Sequence, residues 1–182
     1  MGKALAMAEF MTVSTGIRAA DMMIKTAEVK VIEAEVVCPG KYIILIEGDL
    51  SAVRASVDAV KTTFGEKLID SFVLGNPHDS IFPAIYGTTE FVEKRALGVL
   101  ETYSAASIIK AADIAAKTSI VELIELRVAK GMCGKSYMLL TGEVAAVEAA
   151  IAKAKADSAD GAMFLDSSVI ANPDRKLWDT II

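Results

Sequence analysis

The chain has 182 residues, enough for one large or two small domains; 53% of them are apolar and only 6% aromatic, so the core is expected to be Ala, Val, Ile, Leu and Met. A net charge of −5 without a basic cluster argues against nucleic acid, and no apolar run approaches the roughly 20 residues of a membrane-spanning helix. Two cysteines make no disulfide framework, which points to the cytoplasm, and a mean hydropathy of +0.44 is high enough that neighbouring copies are expected to cover apolar surface.

In chain order, Lys3 followed by Ala4 to Ala8 has the look of a signal peptide, but Glu9 interrupts it and the segment recurs inside the chain. Leu5 to Phe10 therefore predicts a strand. Ser14 or Thr15 is placed to cap a helix with Ile17, Ala20 and Ile24 on one apolar face. Glu28 to Val37, with Val29 and Val31 followed by Glu33 and Glu35, predicts a half-buried strand. Cys38-Pro39-Gly40 breaks it, and Lys41 to Glu47 predicts a buried strand. Gly48-Asp49 opens a second helix with Leu50, Val53, Val57, Val60 and Phe64 on its apolar face. Leu68 to Leu74 predicts a fourth strand, and Asn76-Pro77 turns into a short helix over Asp79 to Ile85.

The chain then repeats itself. Ala4 to Glu9 returns as Ala96 to Glu101, Ala19-Ala20-Asp21 as Ala111-Ala112-Asp113, and Lys25-Thr26 as Lys117-Thr118. Gly40-Lys41 returns as Gly134-Lys135, Asp70-Ser71 as Asp166-Ser167, and Asn76-Pro77 as Asn172-Pro173. The second long helix carries Val144, Val147, Ile151 and Ala154, and Trp178 is placed to anchor the tail. The expected organisation is a first domain over 1–87, a polar linker over 88–95 and a second domain over 96–182. Each has the order βαββαβ of a ferredoxin-like α+β unit. Two fused copies of one domain suggest an oligomer interface that has become covalent.

Catalytic motifs are missing. There is no Gly-x-Ser-x-Gly, Walker loop or paired-histidine zinc motif, and Gly131, Gly134 and Lys135 lack phosphate-loop spacing. His78 is the single histidine, and a turn histidine at an interface is its expected role; an enzyme is not expected. Asp21–Lys25 and Asp113–Lys117 are four apart on their helices and predict local ion pairs. Cys38 on its tight loop reads either as a small buried residue or as a metal ligand. One thiol per chain holds no cluster, and no Cys-x-x-Cys spacing is present.

Over Gly16 to Lys25, Cys38-Pro39-Gly40-Lys41 and Asn76-Pro77-His78, the chain resembles the bacterial microcompartment shell proteins with two tandem shell domains. Within them it is most similar to the propanediol-utilisation type. The resemblance implies a homotrimer shaped as a pseudo-hexagon, tiling edge to edge with other shell proteins around an enzyme-filled compartment in the cytoplasm. It implies pore-lining positions at Cys38, Pro39, Gly40 and Lys41, and at Lys130, Gly131, Met132, Cys133 and Gly134. It further implies one 4Fe–4S cluster per trimer on the threefold axis, held by three Cys38 thiolates, to carry electrons across the shell or pass the cluster to encapsulated redox enzymes. Cys133 is expected to be a bystander, with a six-thiol pore left open. Lys25, Lys117, Asn76, His78, Asn172 and Arg175 are expected at tile edges. Two alternatives stand beside this: a metabolite-conducting pore without metal, and a trimeric small-molecule-binding regulator.

Overall fold

The structure, a computed structural model, describes residues 4–90, 93–160 and 162–181. The first unit runs β1 (Ala4–Phe10), α1 (Val13–Thr26), β2 (Lys30–Val37), β3 (Lys41–Gly48), α2 (Leu50–Phe64), β4 (Leu68–Gly75) and α3 (Ile81–Tyr86). The second repeats it as β5 (Ala96–Thr102), α4 (Ala105–Thr118), β6 (Val121–Arg127), β7 (Ser136–Gly142), α5 (Val144–Asp160), β8 (Phe164–Ile170) and α6 (Arg175–Ile181). The strand orders β2-β3-β1-β4 and β6-β7-β5-β8, antiparallel throughout, give two ferredoxin-like α+β units. Of the boundaries expected from sequence, residues 1–3, linker residues 91–92 and residue 182 lie outside the described residues.

Strand β1 is buried on both faces, and its period of two divides the labour. Ala4, Ala6, Ala8 and Phe10 pack against Ala19 and Met23 of α1 and Val53, Val57 and Val60 of α2. Leu5 and Met7 face the other way, into a core that also holds Ile43, Leu45, Ile81 of α3 and Ile108 of α4. That core runs without a break from one unit into the other. Trp178 of α6 is buried against Leu97, Ile124 and Leu139, as expected of a tail anchor.

Strand β2 departs from simple alternation. Val31 pairs with Ile46 and Glu33 with Leu45, so one extra residue is bulged between them. The bulge reverses the facing of the residues beyond it. Val29 and Val31 pack on the helix side, while Glu33 and Glu35 share the opposite face with their partners Leu45 and Ile43. The equivalent bulge in β6 lies between Leu123 and Glu125.

Two expectations for α1 are corrected. The helix starts at Val13 behind Thr12, so Ser14 and Thr15 lie inside its first turn and do not cap it. Its core stripe is Gly16, Ala19, Ala20 and Met23. Ile17 and Ile24, expected in the core, are 55% and 52% exposed. A broad apolar stripe on a 3.6-residue helix cannot all face one sheet, and here the bulkiest members point outward.

Gly16 is required by close approach: a Cβ there would stand 2.3 Å from Cβ and 2.5 Å from Cγ of Tyr42. The second unit holds Ile108 and Ser136 at the equivalent positions, large and small exchanged. Gly65 contrasts with it, since it sits in right-handed helical backbone with nothing within 4 Å of an added Cβ. Gly16→Ala is expected to lose about 1–3 kcal/mol in chemical denaturation through overpacking. Gly65→Ala is expected to gain about 0.4–1 kcal/mol by restricting the unfolded chain.

Candidate functional site

The site is the seam where the second unit docks on the first, together with the two β–β loops that meet at its end. Helix α4 opens at Ser104, whose Oγ accepts from Ser107 N at 2.9 Å. Two further amides of its first turn are satisfied from the other unit: Ala105 N and Ala106 N donate to Glu9 Oε2 at 2.8 and 3.4 Å. A carboxylate at a helix N-terminus is favourable, and this one is completely buried. Lys41 Nζ approaches Glu9 Oε1 at 2.9 Å and also donates to the carbonyls of Tyr103 and Gly134, both at 3.1 Å. Burial nevertheless pushes the Glu9 carboxyl above its ordinary range, against the pull of Lys41 and the two amides.

Two more carboxylates extend the seam. Asp70 Oδ2 on β4 accepts from the hydroxyls of Ser104 and Ser107, the latter at 2.6 Å. Asp113 Oδ1 on α4 accepts from His78 N at 2.8 Å, while Lys117 Nζ binds Asp113 Oδ2 at 2.7 Å and the Asn76 carbonyl at 2.9 Å. Lys117, Asn76 and His78 thus come together at the seam's outer end, within one chain. Their counterparts do not meet within the chain: Lys25 pairs with Asp21, while Asn172 and Arg175 lie exposed beside a surface cavity of about 710 Å³.

At the other end the loops touch. Cys38 N donates to the Ala129 carbonyl at 3.1 Å, and a Cβ on Gly134 would lie 3.1 Å from the Cys38 carbonyl oxygen and 3.0 Å from Pro39 Cδ. Gly40 has φ +114°, which suits glycine. Cys38 is half-buried beside Pro39 and Gly131 in a shallow depression of about 390 Å³; Cys133 is exposed with φ 52°, and Met132 is half-buried. Of the positions expected to line a pore, Lys41 and Gly134 are drawn into the seam. The lysine's ammonium is spent inside the seam, and Gly134 is buried under Pro39 and the Lys41 stem.

Lys130 crosses from the second unit's loop to β2, with Nζ 2.6 Å from Glu33 Oε1 and 2.5 Å from Glu35 Oε1. Burial and the hydrogen bond shared with Glu35 hold Glu33 above the usual carboxylate range; that same bond holds the more exposed Glu35 below it. Sequence reasoning does not single out Glu9, Asp70 or this triad. A signal is nonetheless there: Glu9 is the one charge in an otherwise apolar strand, and both Glu9 and Asp70 recur in the second copy.

The BMC-domain family profile matches residues 4–77 and 96–173, once in each unit. The chain is 34% identical over all its 182 residues, and over 99% of the relative, to the bacterial microcompartment shell protein PduT of Citrobacter freundii. The chain belongs to the BMC-domain family of bacterial microcompartment shell proteins. A solved microcompartment protein from Desulfitobacterium hafniense superimposes with a TM-score of 0.84 at 42% identity, covering 98% of this chain and 99% of that one. The major carboxysome shell protein CsoS1 of Prochlorococcus marinus is 35% identical over 99 residues, 52% of this chain and 94% of its own. A fused permuted hexameric shell protein shares the fold, with a TM-score of 0.68 at 24% identity over 87% of this chain and 84% of its own. The BMC family is structural, and its members form the compartment shell. Among the described residues, no helix is long and apolar enough to cross a membrane.

Glu9→Ala strands the Lys41 ammonium and two helix amides in the seam, so it is expected to cost about 3–5 kcal/mol in urea denaturation. The double variant Glu9→Leu/Lys41→Met is expected to lose less than Glu9→Ala alone, because no unpaired charge remains. A loss below about 1 kcal/mol for Glu9→Ala would show that the buried pair does not hold the seam.

Proposed function

We propose that three copies of the chain close into a flat ring by repeating the seam between chains, and that this ring is a wall tile with a 4Fe–4S cluster at its centre. One observation supports the ring above the others. On α4, Ile109 is fully buried in the seam, whereas its equivalent on α1, Ile17, is 55% exposed. The first unit offers an uncovered helix, and the second unit offers an uncovered copy of the face that receives one.

The polar groups match as well. Glu101 and Lys135 repeat Glu9 and Lys41, and would meet the first-turn amides of Val13 and Ser14 on a second copy. Asp166 repeats Asp70 and would face Thr12 and Thr15, whose hydroxyls bond each other at 3.0 Å in one chain. Lys25 would reach the Asn172 carbonyl as Lys117 reaches that of Asn76. A head-to-tail interface of this kind yields a ring when its rotation closes. Six units, and hence three chains, are inferred from likeness to a solved relative described as a fused hexameric shell protein. Edge-to-edge packing with other shell proteins then leaves Lys25, Lys117 and Arg175 on the rim.

The donor set fits the cluster only in such a ring. Among the described residues of one chain, no three His, Cys, Asp or Glu side chains gather to hold a metal. One half-buried thiol per chain, brought to a threefold axis by loops fixed through Cys38 N and Ala129, supplies the three soft ligands that three of the four irons prefer. The fourth iron is left to water or an external ligand. When bound, the cluster supplies one-electron chemistry. The chain's own part is to hold three thiolates in place and, through the Pro39-Gly40 turn, to keep the loop short.

Ile17→Glu is expected to convert the trimer to a monomer in sedimentation velocity with little change in the monomer's own stability, because the side chain is a surface group until a second copy covers it. Protein purified without oxygen is expected to show a broad visible band that bleaches with dithionite. The band should vanish in Cys38→Ser and persist in Cys133→Ser. A colourless, iron-free trimer after reconstitution with iron and sulfide would leave a wall tile whose pore passes metabolites. A trimer that never forms hexagonal sheets in electron microscopy would favour a soluble regulator.

A further inference from the structure

The two faces that receive helices differ in charge at their loop ends. Strand register sets Glu33 and Glu125 at equivalent positions, opposite Leu45 and Leu139. It likewise sets Glu35 and Arg127 opposite Ile43 and Tyr137. The first unit therefore presents two carboxylates where the second presents a carboxylate and a guanidinium. Arg127 Nη2 and Nε lie 2.6 and 3.0 Å from Glu125 Oε1, and the Tyr137 hydroxyl donates to Glu125 Oε2 at 2.8 Å. This set is neutral by itself. Among the described residues, the cation paired with Glu33 and Glu35 is Lys130, which arrives on the loop of the other unit.

The loops differ in the complementary sense. Counting on from the equivalent strand residues Glu35 and Arg127, Cys38 stands where Lys130 stands, so the loop over 38–40 brings no cation. We propose that this exchange of charge decides which loop each face accepts. The β2 face takes a loop bearing Lys130, and the β6 face takes the uncharged 38–40 loop of a second copy and rejects one bearing Lys130. The inference rests on the repeated seam proposed above and assigns its selectivity.

Both wrong pairings are penalised. A 38–40 loop on β2 leaves two half-buried carboxyl groups side by side without a cation, and a 128–134 loop on β6 sets Lys130 against Arg127. In the seam Lys130 is 50% exposed and Glu33 14% exposed, so either penalty is partly screened and grows as salt is lowered. The β2 face is already filled by the chain's own second unit, so the exchange acts at the open β6 face, where Arg127 is a positioning residue for the incoming chain.

The test is a charge-swap cycle on the full chain, stripped of metal with a chelator and read as trimer dissociation over a concentration series. Arg127→Glu gives β6 the two carboxylates of β2 without their lysine and is expected to weaken the trimer by about tenfold or more. Cys38→Lys in the natural background brings a lysine against Arg127 and is expected to weaken it similarly. The double variant Arg127→Glu/Cys38→Lys rebuilds the covalent seam's chemistry at the open one and should return to within about threefold of the unsubstituted chain. Additive losses in the double variant, or no loss in Arg127→Glu, overturn the selectivity while leaving the tile standing. An unsubstituted chain that is monomeric at all concentrations overturns the repeated seam, and this inference with it.

Discussion

A buried carboxylate at the start of a helix from the other unit organises this protein. Glu9 has no solvent, so every lone pair it offers must be used, and the partners it uses are the first amides of α4 and the ammonium of Lys41. Each partner fixes something further. The helix amides set the depth and direction at which α4 lies on the first unit. Lys41 reaches on to the carbonyls of Tyr103 and Gly134, so the same charge that seats the helix also draws the second unit's loop onto the first. The apolar core that runs across the seam supplies the driving force without direction; the Glu9 cluster supplies the direction.

Much of this is legible from sequence, and the failures are instructive. The duplicated pattern yields the strands, the helices and their order because period and punctuation are local properties. Ile17 and Ile24 read as core for the same local reason, and wrongly: periodicity shows that a face is apolar but not whether its own sheet or a neighbour covers it. The cap at Ser14 or Thr15 fails because Thr12 already marks the boundary. By strict alternation Glu33 and Glu35 would share the helix-side face of Val29 and Val31, and only the bulge after Val31 turns them onto the seam. Lys41, beside Cys38, reads as a loop residue, whereas what decides its orientation is Glu9, 32 positions earlier in the chain.

Covalent fusion has let the two units diverge in ways a ring of identical subunits could not. Tyr42 is accommodated by Gly16 in one unit, and Ser136 is matched with Ile108 in the other, so the volume is conserved while its owner changes. The loops diverge further: 38–40 is a tight turn, whereas its equivalent 130–134 is two residues longer, and Ala129, Gly131, Cys133 and Gly134 have positive φ. One loop can therefore carry the thiol proposed to lie near an axis while the other supplies the cation paired with its neighbour's carboxylates. In a homohexamer each loop would have to do both.

The same economy accounts for where Cys38 sits. In the proposed ring the thiol must be placed with little freedom, yet loops are the most mobile parts of a fold. Here the restraint comes from outside the loop. The Cys38 amide is held by the Ala129 carbonyl, Gly134 closes over Pro39, and Lys41 at the loop's end is locked to Glu9. The seam is therefore more than glue between two units: its polar groups, through Lys41 and Ala129, set the position of the one thiol that symmetry would multiply. Loosening the seam would free the Cys38 loop before it dissolved either sheet, because the strands beneath keep their own hydrogen bonds while the loop relies on the neighbouring unit.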